Sequence, residues 1–192
     1  MLIESTLLLS LLSQCQSSVD ASVLSRLIEI ESGSNPYAIE IEGMSSASQP
    51  SNKNEAISIS KDLTDKNIPF RAGLFQLRSS EFSSLGITEE SVFEPCNSIS
   101  VAASKFSSCQ IMVEKEEGNI SDRVHKSVSC FRYGNFNEGF ERKGMKQSYV
   151  EKFTHAQIES KAKINSGKIS DLPKIKPNPA AAWDVFSELS IN

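Results

Sequence analysis

Four cysteines, at positions 15, 96, 109 and 130, constrain this chain more than any other feature. No two form a C-x-x-C pair. An even set at such spacings leaves two disulfides or four buried thiols. Zinc normally takes closely spaced ligands, and only His125 and His155 are present to complete a set, so no metal and no cofactor is expected. With 192 residues the chain is long enough to bury a core without a metal staple. Its 39% hydrophobic and 23% charged residues exclude a disordered, collagenous or polytopic membrane protein.

Charge is unevenly placed. Residues 141–176 carry nine Lys or Arg against four Asp or Glu, and the rest of the chain carries eleven against twenty. The net charge of -4 speaks against a nucleic-acid partner. The basic C-terminal stretch reads as a separate functional unit.

At the N-terminus, Leu7-Leu8-Leu9-Ser10-Leu11-Leu12 has the look of a signal-peptide core. Yet the first basic residue is Arg26, and Gln14 before Cys15 spoils a small-residue cleavage site. The run is far too short for a transmembrane segment. A buried first helix over 3–13 is therefore preferred to a cleaved signal, and the export signal stays open.

Periodicity then predicts an amphipathic helix over 21–32, stopped by Gly33 and Pro36, and further helices over 54–64, 79–85 and 88–94. Asn97 is expected to cap a helix over 98–115, and Ser121 one that runs to Phe131. A last helix is placed over 147–163, with a Lys-, Ser- and Pro-rich linker from Asn165 to Pro179. Tyr37–Ile41 and Phe70–Leu77 are the best strand signals. The class is mainly α with minor β.

The helix over 21–32 carries one residue out of place. At 100° per residue, Leu24, Leu27 and Ile28 form an apolar stripe, and Glu31 falls about 20° from Leu24, inside it. Glu29 lies on the opposite face beside Arg26, its expected partner. A carboxyl in apolar surroundings has its pKa raised and becomes a usable general acid. On spacing alone, the preferred reading is that Glu31 bends out into water at the helix end.

The residues around it decide between these. Glu31-Ser32-Gly33-Ser34-Asn35-Pro36-Tyr37-Ala38-Ile39 resembles the catalytic-helix motif of lytic transglycosylases. In the order that family has them follow Gly73-Leu74-Phe75-Gln76-Leu77, Phe93-Glu94-Pro95-Cys96-Asn97-Ser98-Ile99 and Cys130-Phe131-Arg132-Tyr133-Gly134-Asn135. The cysteine-bearing segments, and Gln49-Pro50 followed by Glu55-Ala56, look most like the peptidoglycan-cleaving subunits of bacterial type IV secretion systems. The resemblance covers about residues 10–158. It implies a lysozyme-like domain over 1–158, a helical bundle around a sugar groove, followed by a linker and tail over 159–192.

It also implies a periplasmic enzyme acting on peptidoglycan glycan strands. Glu31 would protonate the glycosidic oxygen between N-acetylmuramic acid and N-acetylglucosamine. It would then take a proton from the muramyl C6 hydroxyl, giving a 1,6-anhydro product. Ser32, Phe75, Gln76, Phe131, Arg132 and Tyr133 are the substrate-side residues this implies. Phe131 departs from the family's tyrosine, whose phenol lies near the acid; Tyr133 is the nearest other phenol in sequence. Without that phenol the alternative is a catalytically weak, wall-binding assembly adaptor. His125 and Cys130, five apart on a helix, make a poor nucleophile–base pair.

Helix geometry bears on the cysteines. On a helix from about 98 to 113, Cys96 and Cys109 would lie roughly 20 Å apart, beyond the ~7 Å a disulfide spans. Pairing the next helix antiparallel to it brings 109 near 130, so 109–130 and 15–96 are expected. A helix starting as late as Val101 or Ala102 would reopen the alternative. In the tail, Trp183, the only tryptophan, and Phe186 sit beyond the basic linker and are expected to dock another secretion-system subunit.

Overall fold

A computed structural model describes residues 2–16, 18–44, 48–115 and 119–156. Trp183, Phe186 and the expected linker lie outside the described residues. Helix α1 spans Ser5–Cys15 and α2 Ala21–Ser32. Strand β1, Ile39–Ile41, precedes α3, Lys53–Asp65. Strands β2, Phe70–Ala72, and β3, Leu77–Arg78, lead through a 3-10 turn into α4, Phe82–Leu85. Then come α5, Pro95–Val113, α6, Ile120–Tyr133, and α7, Tyr149–His155. The architecture is mainly helical with one small sheet. No helix among the described residues is long and apolar enough to cross a membrane.

Local chemistry sets these boundaries. Asp20 caps α2 by accepting from the Ser22 amide at 2.7 Å. At the other end Gly33 takes φ 57° and donates to the Glu29 carbonyl, as expected of a glycine stop. Two expected caps are corrected. Helix α5 begins at Pro95, because proline needs no amide partner in a first turn; Asn97 lies inside that turn and donates its side-chain amide to Ser91 O at 3.0 Å. Helix α6 is capped by Asn119, which accepts from the Asp122 amide, rather than by Ser121. Helix α7 starts at Tyr149, two residues later than expected, because Ser148 and Glu151 form a reciprocal capping box.

The expected strand over 70–77 is instead two strands with a turn between them. Strands β1, β2 and β3 form an antiparallel sheet in that order, with Ile39 opposite Ala72 and Ala72 opposite Leu77. Gly73 makes the turn at φ 78°, and a Cβ there would meet the Val92 carbonyl at 2.5 Å. Only glycine fits that approach.

Leu24, Leu27 and Ile28 of α2 are fully buried, which confirms the stripe read from spacing. Arg26 does not pair with Glu29. Its guanidinium lies 5.7 Å from the Phe153 ring centroid, a stacking contact that an exposed i+3 carboxylate does not outweigh. The structure bonds Cys15 to Cys96 and Cys109 to Cys130, with Cα separations of 5.1 and 5.8 Å. The first fastens the end of α1 to the start of α5. The second clamps α5 to α6, whose C-terminal turn carries Arg132 and Tyr133.

Candidate active site

Glu31 occupies the last turn of α2. The turn is held in place by Ser32, whose hydroxyl proton is shared between Ile28 O at 3.2 Å and Leu74 O at 2.8 Å. This bond ties the helix end to the β2–β3 turn, 42 residues away in sequence. With the helix end so anchored, the Glu31 side chain is 2% exposed. It does not bend out into water.

Two partners hold its carboxylate. Arg132 donates Nη1 to Oε2 at 2.6 Å, and the Tyr149 hydroxyl donates to Oε1. The Arg132 guanidinium is divided, since its Nη2 reaches Glu40 Oε2 of β1 at 2.9 Å. The Arg132 backbone carbonyl in turn accepts from Arg71 at 3.3 Å and from Arg78 at 2.9 Å. Two guanidinium groups on one carbonyl at the helix C-terminus oppose the negative end of α6 and fix where Arg132 starts. Arg78 thus acts inside the protein through α6.

These contacts pull Glu31 in opposite directions. Burial pushes its carboxyl up; the Arg132 charge, the Tyr149 hydrogen bond and the Arg71 charge pull it down, and the Glu40 charge adds to the rise. Burial prevails and the carboxyl lies above its ordinary range. The Tyr149 phenol is also raised well above its usual value, by burial and by the adjacent Glu31. Tyr149 is therefore a proton donor to a hydrogen bond and holds its own proton. For Arg132, burial lowers the pKa, but Glu31 and Glu40 outweigh it and the guanidinium stays charged.

Glu31 opens into two clefts. One, of about 380 Å³, runs toward α7 and is walled by Tyr133, Tyr149, Lys143, Lys146 and Lys152. The other, of about 240 Å³, runs along the sheet and is walled by Ser32, Asn35, Glu40, Gln49 and Gln76. Gln49 is locked there by a reciprocal pair with Ile39, accepting from its amide at 3.0 Å and donating to its carbonyl at 2.9 Å.

The expected site residues separate into three groups. Arg132 and Tyr133 line the α7 cleft, and Ser32 and Gln76 line the sheet cleft. Gln76 is buried at φ 45°, and its Nε2 donates to Ala38 O at 3.0 Å and Gly73 O at 2.8 Å. Both amide protons are spent on backbone, so a ligand can meet only its Oε1. Phe75 and Phe131 are corrected: both are core. Their rings meet edge-on at 6.2 Å, Phe131 also packs on Phe106, and neither lines either of these two clefts. An apolar ring with no hydrogen-bond need is free to sink into the space between α5 and the sheet.

A phenol beside the acid, which Phe131 cannot provide, comes from elsewhere in the chain. Tyr149, 118 residues from Glu31, supplies it, with the Tyr133 ring packed edge-on against it at 5.7 Å. Tyr149 and Glu40 are the residues that sequence reasoning missed. The Ser148-x-x-Glu151 box marks where α7 begins. Nothing local announces which way the Tyr149 ring points. His125 and Cys130 are absorbed elsewhere, one against Thr154 at 3.2 Å and the other in a disulfide.

Comparison with known proteins identifies the family. Residues 10–158 match the family model described as Transglycosylase SLT domain. Similar proteins include the "Type IV secretion system protein virB1" of Brucella suis biovar 1 (strain 1330). It is 29% identical over 175 residues, which cover 91% of this chain and 71% of that one. "Protein virB1" of Agrobacterium fabrum (strain C58) is 27% identical over 177 residues, covering 90% and 67%. No solved structure matches the chain. The family match takes in α2, the sheet, α6 and α7, which bring together Glu31, Glu40, Arg132 and Tyr149, and the chain belongs to the transglycosylase SLT family of lytic transglycosylases.

Proposed function

We propose that this lytic transglycosylase cleaves the β-1,4 bond between N-acetylmuramic acid and N-acetylglucosamine in the periplasm and leaves a 1,6-anhydromuramyl end. In this reading it opens the wall locally for a type IV secretion system. The observation that carries the chemistry is a single deeply buried carboxyl, Glu31, at the meeting point of two clefts and held by Tyr149 and Arg132.

One group must act first as acid and then as base. Burial favours the protonated form that the first step needs. Arg132 opposes it, and Glu40 offers that guanidinium a second seat. When Arg132 moves fully onto Glu40, Oε2 is free to carry the proton. Glu31 gives that proton to the glycosidic oxygen as the C1–O bond breaks. The carboxylate that remains is stabilised by the returning Arg132 and by the Tyr149 hydroxyl. It then accepts the proton of the C6 hydroxyl as that oxygen bonds to C1. Donor and acceptor balance, and no water is consumed.

Product analysis on purified murein tests this. Anhydromuropeptides should form and should vanish in Glu31→Gln. Reducing ends as the sole product would overturn it, as would full activity in the variant. For the tail, we propose that Trp183 and Phe186 dock a secretion-system subunit. Deleting 178–192 should leave cleavage of isolated murein nearly unchanged and weaken recruitment to the apparatus. Loss of activity on isolated murein would argue against a separate docking role.

A further inference from the structure

The α7 cleft carries charge that a glycan chain has no use for. Beyond Glu31 and Tyr149 its wall holds Lys143, Lys146 and Lys152, with Gln147 and two carboxylates, Glu141 and Glu40, the second of them paired with Arg132. None of these three lysines makes an ion pair among the described residues. All three are exposed at the wall, while Arg132 at the floor is already shared between Glu31 and Glu40. The arrangement stands out in an acidic chain of net charge -4. The sheet cleft on the other side of Glu31 presents Asn35, Gln49 and Gln76 and no lysine.

N-acetylglucosamine is neutral, so lysines contribute little to holding it; amides and hydroxyls suit it better. The anionic parts of peptidoglycan are its peptide stems, which hang from the lactyl ether of each muramyl residue. A cleft of about 380 Å³ adjoining the acid has room for a short peptide segment. We infer that the α7 cleft is an anion subsite that reads the carboxylates of the muramyl peptide stem through Lys143, Lys146 and Lys152. The enzyme then selects glycan that still carries its peptides. This inference rests on the proposed reaction at Glu31 and adds the part of the substrate that the site distinguishes.

The test compares two substrates: stem-bearing glycan strands, and the same strands stripped of peptide by an amidase. Stripping leaves one lactyl carboxylate on each muramyl residue, so the two anion sources are separated. The wild type should favour the stem-bearing strands in kcat/KM by about tenfold, the scale of a few exposed charge pairs. The preference should lie in KM and should shrink as salt is raised. Replacing all three lysines by alanine should bring the ratio near unity, and replacing all three by arginine should restore it. Equal cleavage of both substrates by the wild type would overturn the inference. So would a triple alanine variant that loses rate equally on both, because the lysines would then serve the fold or the lactyl group. Failure to release anhydro ends from either substrate would instead count against the reaction assigned to Glu31.

Discussion

On its α7 side Glu31 opens into a cleft walled by two tyrosines and three lysines; on its sheet side it opens into one walled by amides. The two walls also differ in how they are held. Asn35, Gln49 and Gln76 are tied to backbone on short strands and turns, so their positions are set by the sheet. Lys143, Lys146 and Lys152 are exposed, and none makes an ion pair among the described residues. A rigid amide wall suits a repeating sugar with fixed acetamido groups. An exposed cationic wall suits peptide carboxylates that vary in position. Glu40 borders both clefts as well, but Glu31 is the buried group that both sides need.

Replacing that shared group should therefore have the largest effect. Glu31→Gln removes the exchangeable proton without changing shape, and release of anhydro ends should fall on the order of 10³-fold, within the usual range for a general acid. Residual activity within tenfold of wild type would mean that another group supplies the proton.

Tyr149→Phe comes next and asks which phenol matters. It removes the donor to Glu31 Oε1 while keeping the ring, and the rate should drop on the order of 10²-fold. Tyr133→Phe should cost far less, because that hydroxyl does not bond Glu31. Equal losses from the two would erase the distinction drawn within the α7 wall.

The pH dependence sharpens the picture of the charge between the clefts. A general acid works below its pKa and fails as pH rises through it. Arg132 and Glu40 push Glu31 in opposite directions, down and up. Arg132→Gln should therefore move the basic limb of kcat/KM to higher pH, and Glu40→Gln should move it to lower pH. Tyr149 and Arg71 also face Glu31, and both lower its pKa, so a control at either should shift the limb upward as well. A Glu40 variant that moved the limb upward would show that it acts other than through charge.

The smallest effect concerns the rigid wall. Gln49→Ala removes two hydrogen bonds to Ile39, and unfolding stability should fall by about 1–2 kcal/mol. Cleavage of stem-bearing and stripped strands should decline together, since neither bond faces the lysines. A loss confined to stem-bearing strands would place Gln49 with the opposite wall.

Much of this protein is legible one segment at a time. The apolar stripe of α2, the Gly33 stop and the misplaced Glu31 follow from a period of 3.6 and the conformational freedom of glycine. The rise of a helix excludes a 96–109 disulfide, because two cysteines 13 residues apart on α5 cannot meet, and folding the next helix in the chain back on α5 then selects 109–130 and 15–96. The ordered motifs from Glu31 to Asn135 point to the family. What these readings share is that each depends on spacing within one element or on residues taken in chain order.

The misses share a cause too. Phe131 and Tyr133 are two residues apart on α6, and only packing against Phe75 and Phe106 turns one inward and leaves the other on the cleft. Tyr149 reaches Glu31 across 118 residues because α7 docks beside α2. Arg132 meets Glu31 and Glu40 only once the Cys109–Cys130 bridge and the two arginines on its carbonyl have placed the end of α6. Side-chain direction at a junction of four elements depends on how each fills the space the others leave. No periodicity along the chain encodes that.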